Sequence, residues 1–212
     1  MIQPNYAQLI LCGGEGRRMA SAYAQKALAE FHGHPLLSHA LSKQQASTEA
    51  VLVSCGPKPA HHTEITLRHE AMQALLNDSK VPTETLYDAS DLHLGPLAGI
   101  FSGLDYCIQQ RPYCEHLLVS PVDTPRQAPD LGQQLLAASR QAPKHIIVSE
   151  CEGRLHPLHS LWPVAAYQSL EDYLSRGERR VMGFIERFGY ESLNVPDPDS
   201  FQNINSPEDL SS

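Results

Sequence analysis

A short apolar run near the start of the chain ends in a glycine-rich turn that carries two arginines. The segment Leu9–Met19 reads Leu-Ile-Leu-Cys-Gly-Gly-Glu-Gly-Arg-Arg-Met. The apolar run has the length of a buried strand, and glycines let bare backbone N–H groups approach a ligand. Guanidinium groups offer forked donors that suit phosphate. The segment therefore predicts a polyphosphate site at the end of a strand.

The glycine spacing narrows the kind of site. Gly13, Gly14 and Gly16 follow a Gly-Gly-x-Gly pattern, which differs from the dinucleotide fingerprint, and no Gly-Lys-Ser/Thr follows as in a P-loop. The alternative is an ordinary glycine-rich turn after the first strand of a parallel sheet.

A lone aspartate follows a second apolar run, Leu117–Val119, and stands between two prolines. Proline restricts the backbone and would hold the Asp123 carboxylate in place. A carboxylate opposite a phosphate loop suits Mg²⁺, which also takes phosphate oxygens as ligands. The alternative is that Asp123 shapes a turn or caps the following helix.

Other polar residues are expected near the same site. Asp88 follows a short predicted strand and could bind a base or ribose, or simply form a turn. The turn Gly95–Gly99 lets a helix N-terminus approach an anion or a base edge. Lys26 could place its charge on a phosphate, although a lone lysine is often only a solvated surface residue.

Two polar pairs lie towards the end of the chain. Arg179 and Arg180 open a predicted helix and form either an anion site or an ordinary exposed face. Asn203 and Asn205 alternate along an extended segment and could meet one ligand. The alternative for the asparagines is a capped turn, because Ser206 is a good N-cap residue.

Composition indicates a soluble globular protein. The 212 residues carry 42% hydrophobic and 19% charged residues with a formal net charge of −8, which argues against a general nucleic-acid binder. The five cysteines show no close metal-type spacing and are expected to be reduced thiols in a cytoplasmic protein. No segment is typical of a signal peptide or membrane span.

Apolar runs and helical patterns alternate along the chain. This order predicts βαβ units, hence a three-layer α/β fold of Rossmann-like type, with a mostly parallel sheet covered by helices on both faces. One domain, residues 1–212, is expected. One of the predicted helices spans Pro35–Ser47. Ligands in such sheets bind beyond the carboxyl ends of the strands.

Taken together, the motifs resemble those of the molybdenum cofactor guanylyltransferases, a branch of the nucleotidyltransferases. The resemblance covers nearly the whole chain. It is carried by Leu11-Cys-Gly-Gly with Arg17-Arg-Met19, His34-Pro-Leu36, Gly95-Pro-Leu-Ala-Gly99, Asp123-Thr-Pro125, His156-Pro157, Gly177-Glu-Arg-Arg-Val-Met182 and Asn203-Ile-Asn-Ser-Pro207. The last two motifs distinguish this branch from other nucleotidyltransferases.

The resemblance implies a reaction and a set of site residues. The terminal phosphate of molybdopterin attacks the α-phosphate of GTP, and pyrophosphate leaves. Catalysis would fall on Arg18, Lys26 and Asp123, with Asp123 as the Mg²⁺ ligand. Nucleotide binding would fall on Leu11, Cys12, Gly13, Gly14, Lys26, Ser54, Asp88 and Asp123, and pterin binding on Arg179, Arg180, Asn203 and Asn205. Transient contact with molybdoenzymes or their chaperones would follow, without nucleic acid or a membrane.

One segment departs from the family pattern. The family reads Met-Gly-Gly-x-Asp-Lys, whereas this chain reads Met19-Ala-Ser-Ala-Tyr-Ala-Gln-Lys26. Ser54 stands where the family has an asparagine. Two alternatives to guanylyl transfer therefore stay open. One is a nucleotidyltransferase that uses CTP or another phosphorylated acceptor, and the other is a non-catalytic relative that binds pterin or nucleotide.

Overall fold

A seven-stranded sheet forms the centre of the computed structural model, which describes residues 6–12, 26–43, 48–57, 63–77, 82–88, 95–206 and 208–211. The strands of this sheet are β1 (Tyr6–Leu11), β4 (Thr48–Pro57), β5 (Thr83–Asp88), β6 (His116–Pro121), β7 (Ile146–Cys151), β8 (Arg154–Pro163) and β9 (Tyr190–Asn194). Two short strands, β2 (Glu30–Phe31) and β3 (His34–Pro35), form a separate hairpin.

Within the described ranges, six α-helices connect these strands. They are α1 (Leu36–Leu41), α2 (Thr63–Asn77), α3 (Pro96–Gln110), α4 (Leu131–Ser139), α5 (Tyr167–Ser175) and α6 (Val181–Phe188). Four 3₁₀ segments cover Lys26–Leu28, Val164–Ala166, Pro198–Phe201 and Glu208–Ser211. Among the described residues, no helix has the length and apolar character needed to span a bilayer.

The strand order reverses its direction of growth beside β1. The order is β5-β4-β1-β6-β8-β7-β9, and every neighbouring pair is parallel except those made by β8. The chain adds β4 and β5 on one side of β1 and then crosses to the other side as β6. This reversal creates a topological switch point at the carboxyl ends of β1 and β6, which is where open α/β sheets bind ligands.

Helices cover both faces of the sheet, as predicted. Residues alternate along β1, so Leu9 packs with α3, α5 and α6 on one face while Ile10 packs with α1 and α2 on the other. The helix α4 covers the second face over β6, β7 and β8. Trp162 of β8 lies fully buried and stacks on Phe184 of α6, with ring centroids 5.4 Å apart. The predicted three-layer Rossmann-like architecture is confirmed.

The predicted helix over Pro35–Ser47 is wrong in extent. The helix α1 covers Leu36–Leu41: Pro35 belongs to β3 and pairs with Glu30, and the helix ends before Ser42. Residues 44–47 of the predicted helix lie outside the described residues. The β2–β3 hairpin turns through His32 and Gly33, both with positive φ (51° and 78°). Strands of two residues carry too little hydrophobic alternation to be read from sequence.

Candidate functional site

The carboxyl ends of β1 and β6 meet at one point of the sheet edge. Leu11 pairs with Pro121 in parallel register, and the Val122 N–H donates to the Leu11 carbonyl over 3.2 Å. Asp123 is therefore held beside the residue at which the glycine-rich turn begins. The turn residues themselves, Gly13, Gly14 and Arg18, lie outside the described residues.

The predicted nucleotide residues of β1 and β4 are buried. Leu11, Cys12 and Ser54 are exposed by only 8%, 5% and 4%, and the Cys12 N–H donates to the Ser54 carbonyl over 2.9 Å. Burial raises the pKa of the Cys12 thiol well above its ordinary value, and Cys55 and Asp123 raise it further. The Cys12 side chain is therefore a neutral packing group. All five cysteines are free thiols.

Lys26 reaches Asp123 across the site. Its ammonium Nζ donates to Asp123 Oδ2 over 2.5 Å and to Asn205 Oδ1 over 3.0 Å. The side chains of Lys26 and Asp123 are only 17% and 16% exposed, so water screens the pair weakly. The structure thus joins three predicted site residues, Lys26, Asp123 and Asn205, which are called the Lys26–Asp123–Asn205 cluster below.

The second oxygen of Asp123 has a different environment. Oδ1 is buried and has no hydrogen-bond partner among the residues that the structure describes, although buried carboxylate oxygens are normally satisfied. A cation ligated by this oxygen would supply the missing interaction, so the carboxylate fits Mg²⁺. Within the described part of the chain, no group of three His, Cys, Asp or Glu side chains is arranged to hold a metal. Mg²⁺ here would take its other ligands from phosphates and water, as it often does.

The C-terminal segment runs against the Asp123 turn. The Ile204 N–H donates to the Asp123 carbonyl over 2.8 Å, and the Ile204 side chain is buried. Asn203 and Asn205 flank it and are exposed. Asp209 Oδ2 accepts the N–H groups of Asn205 and Ser206 over 2.8 and 2.9 Å, and these bonds lower the pKa of Asp209. The segment is therefore both a capped turn and a wall of the site.

Helix α3 approaches the same edge closely. Gly95 adopts φ +62° at the N-cap, and Pro96 occupies the first turn. A Cβ atom at Gly99 would overlap Ser54 Oγ and lie 2.9 Å from Leu11 Cδ2. Only glycine therefore allows the helix start to sit against the ends of β1 and β4. Asp88 ends β5 and pairs with Pro57 of β4, which places its backbone on the same carboxyl edge.

The two predicted pterin arginines lie in a different part of the fold. Arg179 and Arg180 occupy the turn between α5 and α6, whose helices pack on the α3 face. Arg179 Nη1 donates to the carbonyls of Leu174 and Glu178 over 2.8 and 2.7 Å. Arg180 is exposed, and its carbonyl accepts the Tyr173 hydroxyl over 3.0 Å. The structure does not bring these arginines into contact with the Lys26–Asp123–Asn205 cluster.

The sequence motifs do not identify a buried histidine that contacts Thr124, the residue after Asp123. His159 Nε2 lies 3.1 Å from Thr124 Oγ1, and burial, together with His156, lowers the pKa of His159 to about 3. The imidazole is therefore neutral at physiological pH. The sequence offered one signal, the histidine spacing His156-Pro-Leu-His159, but spacing alone does not show what either ring contacts.

Comparison with known proteins agrees with this geometry. Residues 8–190 match the MobA-like NTP transferase domain family. A molybdenum cofactor guanylyltransferase of Cereibacter sphaeroides is 35% identical over 202 residues, which are 95% of this chain and 92% of that protein.

Two solved structures share the fold. The molybdopterin-guanine dinucleotide biosynthesis protein A of Archaeoglobus fulgidus has a TM-score of 0.70 at 21% identity, covering 97% of this chain and 95% of that one. The 4-diphosphocytidyl-2C-methyl-D-erythritolsynthase of Anaerococcus prevotii has a TM-score of 0.75 at 13% identity, covering 99% and 94%. The match of residues 8–190 to the family model and the 35% identical relative show that the chain belongs to the MobA-like NTP transferase domain family.

Proposed function

We propose that this protein transfers GMP from GTP to the terminal phosphate of molybdopterin, releasing pyrophosphate and forming a guanine dinucleotide cofactor. The observation that carries the proposal is the Lys26–Asp123–Asn205 cluster at the switch point beside β1. The Cereibacter sphaeroides relative bears the name of this activity.

The reaction requires alignment of the two phosphates and neutralisation of their negative charge. An oxygen of the acceptor phosphate forms a bond to the α-phosphorus of GTP, and the bond from that phosphorus to the bridging oxygen of pyrophosphate breaks. Because the attacking phosphate is already an anion, the reaction needs no strong general base. Positioning and electrostatic stabilisation can then supply most of the rate enhancement.

Lys26 is suited to binding the pyrophosphate leaving group. Two of its three N–H donors point at Asp123 and Asn205, which leaves a third donor for a phosphate oxygen. Its charge would stabilise the negative charge that develops on departing pyrophosphate. We assign a similar role to Arg18, and assign guanosine and phosphate binding to Leu11, Cys12, Gly13, Gly14, Ser54 and Asp88.

Asp123 is proposed as the Mg²⁺ ligand through its buried Oδ1. Bound there, Mg²⁺ would neutralise triphosphate charge and polarise the reacting phosphoryl group. Two backbone hydrogen bonds hold this carboxylate in place: the Val122 N–H donates to the Leu11 carbonyl, and the Ile204 N–H donates to the Asp123 carbonyl.

The pterin side is assigned to the exposed asparagines and arginines. Asn205 belongs to the cluster and Asn203 lies two residues before it, so both can meet the acceptor near its phosphate. Arg179 and Arg180 would act from the α5–α6 turn on a more distant part of the acceptor. We further propose a cytoplasmic location and transient contacts with molybdoenzymes or their chaperones, which would receive the product.

The test is pyrophosphate release by the purified protein with molybdenum-loaded molybdopterin and each of GTP, CTP, ATP and UTP. The proposal expects release with GTP that requires the acceptor and stops when EDTA removes Mg²⁺. Preferential use of CTP would replace guanylyl by cytidylyl transfer. Binding of both substrates without pyrophosphate release would identify a non-catalytic relative. Pyrophosphate release that persists in EDTA would show that the reaction does not need Mg²⁺.

A further inference from the structure

The strand β8 carries a bulge at its end nearest the site. Ser149 of β7 pairs with His156, but the preceding Val148 pairs with Ser160, so β8 has the extra residues 157–159. The Ser160 hydroxyl donates to the Pro157 carbonyl over 2.7 Å and accepts the Trp162 Nε1–H over 2.8 Å. These bonds close the bulge. Bulges next to functional sites often redirect a side chain.

The redirected side chain is His159. It is 4% exposed, and its Nε2 lies 3.1 Å from the hydroxyl of Thr124, the residue after Asp123. The Thr124 hydroxyl also donates to the Pro121 carbonyl over 3.4 Å. The arrangement in which His159 Nε2–H donates to Thr124 Oγ1 satisfies both contacts. His159 thus holds the turn that carries the Asp123 carboxylate.

The same imidazole contacts the C-terminal segment. The ring of Phe201 meets His159 edge-on, with centroids 5.0 Å apart, and stacks on His156 at 4.1 Å. Phe201 ends a 3₁₀ segment and leads into residues 202–205, where the Ile204 N–H bonds to the Asp123 carbonyl. His159 therefore contacts both chain segments that meet at Asp123.

We propose that His159 is a positioning residue that fixes the Asp123–Thr124 turn against the Ile204–Asn205 segment and thereby assembles the Lys26–Asp123–Asn205 cluster. Its role in transfer rests on the proposed function, whereas the positioning of the two segments does not. A hydrocarbon of similar size would fill the space but lose the hydrogen bond to Thr124. Glutamine would keep a polar group within reach of that hydroxyl.

The direct test is hydrogen–deuterium exchange of the Ile204 amide, which reports local opening of its bond to Asp123. We expect His159→Leu to accelerate this exchange at least about tenfold, with the amides of α3 unchanged, and His159→Gln to restore most of the protection. His145→Leu, at an exposed histidine, is the matched control. Unchanged Ile204 exchange, or equal acceleration throughout the sheet, would overturn the proposal.

A second variant covers the case in which His159→Leu does not fold. Thr124→Val keeps the histidine and the side-chain shape, and replaces only the hydroxyl with a methyl group. It should accelerate Ile204 exchange in the same way; exchange unchanged from that of the unaltered protein would overturn the proposal.

Kinetics then distinguish positioning from general stability. His159→Leu should lower kcat by about tenfold or more while KM for GTP stays within about twofold, because misaligned groups slow the reaction more than they weaken binding. His159→Gln should recover kcat. A raised KM with unchanged kcat would contradict the catalytic part of the proposal. If the unaltered protein transfers no nucleotide, the proposed function fails while the exchange result still decides the positioning.

Discussion

Lys26 Nζ lies 2.5 Å from Asp123 Oδ2, although 97 positions of sequence separate the two residues. The pair joins the chain entering β2 to the turn that leaves β6. It therefore ties the segment after the glycine-rich turn to the carboxylate proposed to bind Mg²⁺.

Replacement of Lys26 should destabilise the folded protein, because it leaves the Asp123 carboxylate unpaired. Lys26→Met leaves the weakly exposed Asp123 carboxylate without its cation, so the free energy of unfolding should fall by about 1–3 kcal/mol. Urea unfolding of Lys26→Met, Asp123→Leu and the double variant measures the coupling. Strictly additive losses would show that the ion pair contributes nothing to stability.

Substitution of Gly99 should disturb the site through packing. In Gly99→Ala the new methyl group overlaps Ser54 Oγ and crowds Leu11, so we expect a loss of about 1–3 kcal/mol in the free energy of unfolding. Removal of the hydroxyl in Ser54→Ala should relieve part of the loss. Thermal unfolding of Gly99→Ala, Ser54→Ala and the double variant is the measurement, and a Gly99→Ala protein as stable as the parent would mean that α3 shifts freely.

The two arginines of the α5–α6 turn should behave differently. Arg179 donates to the carbonyls of Leu174 and Glu178, so Arg179→Gln should lower the free energy of unfolding by about 1–3 kcal/mol. Arg180 is exposed, so Arg180→Gln should raise KM for molybdopterin several-fold without changing Tm. The prediction fails if Arg180→Gln leaves the acceptor KM unchanged.

Acid sensitivity should depend on His159. Burial and His156 lower its pKa in the folded protein from 6.5 to about 3, so only the unfolded state takes up a proton between these values. Above the pKa of the unfolded state, the neutral His159 contributes fully to the free energy of unfolding. As the pH falls towards the pKa of the folded state, this contribution is lost by up to about 1.4 kcal/mol per pH unit.

His159→Gln lacks this proton uptake and provides the comparison. Its free energy of unfolding, measured by urea titration from about pH 6 down to about pH 4, should therefore fall less steeply than that of the parent. The carboxylates titrate in both proteins and cancel in the difference. Equal slopes would mean that His159 is protonated in the folded state.

Apolar runs and turn residues in the sequence predicted the strands and helix starts that depend on neighbouring residues in the chain. The apolar runs of β1 and β6 and the Gly95-Pro96 start of α3 appear where the sequence placed them. The parallel order βαβ then puts Leu11 and Asp123 on one edge, because carboxyl ends of parallel strands share an edge. The structure places Leu11 beside Pro121 and Val122, just before Asp123, whereas the glycine-rich turn itself lies outside the described residues, so its approach to Asp123 stays a prediction.

Other features depend on contacts between distant segments and could not be read in the same way. The bulge in β8 exists because three of its residues have no pairing partner on β7. This depends on the register between two strands, which the composition of either strand does not specify. The bond of Lys26 to Asn205 joins residues 179 positions apart. Likewise, the sequence shows that Arg179 is basic but not that its guanidinium closes the turn after α5.

The most direct test of the account is the rate of Mg²⁺-dependent pyrophosphate release by Asp123→Asn, at saturating GTP and molybdopterin. The matched control is Asp130→Asn, which makes the same charge change at an exposed residue after the same strand. We expect a loss of about a hundredfold or more for Asp123→Asn, with its circular dichroism unchanged and the control fully active. An Asp123→Asn protein that keeps the parent rate would contradict the assignment of this carboxylate to the reacting triphosphate.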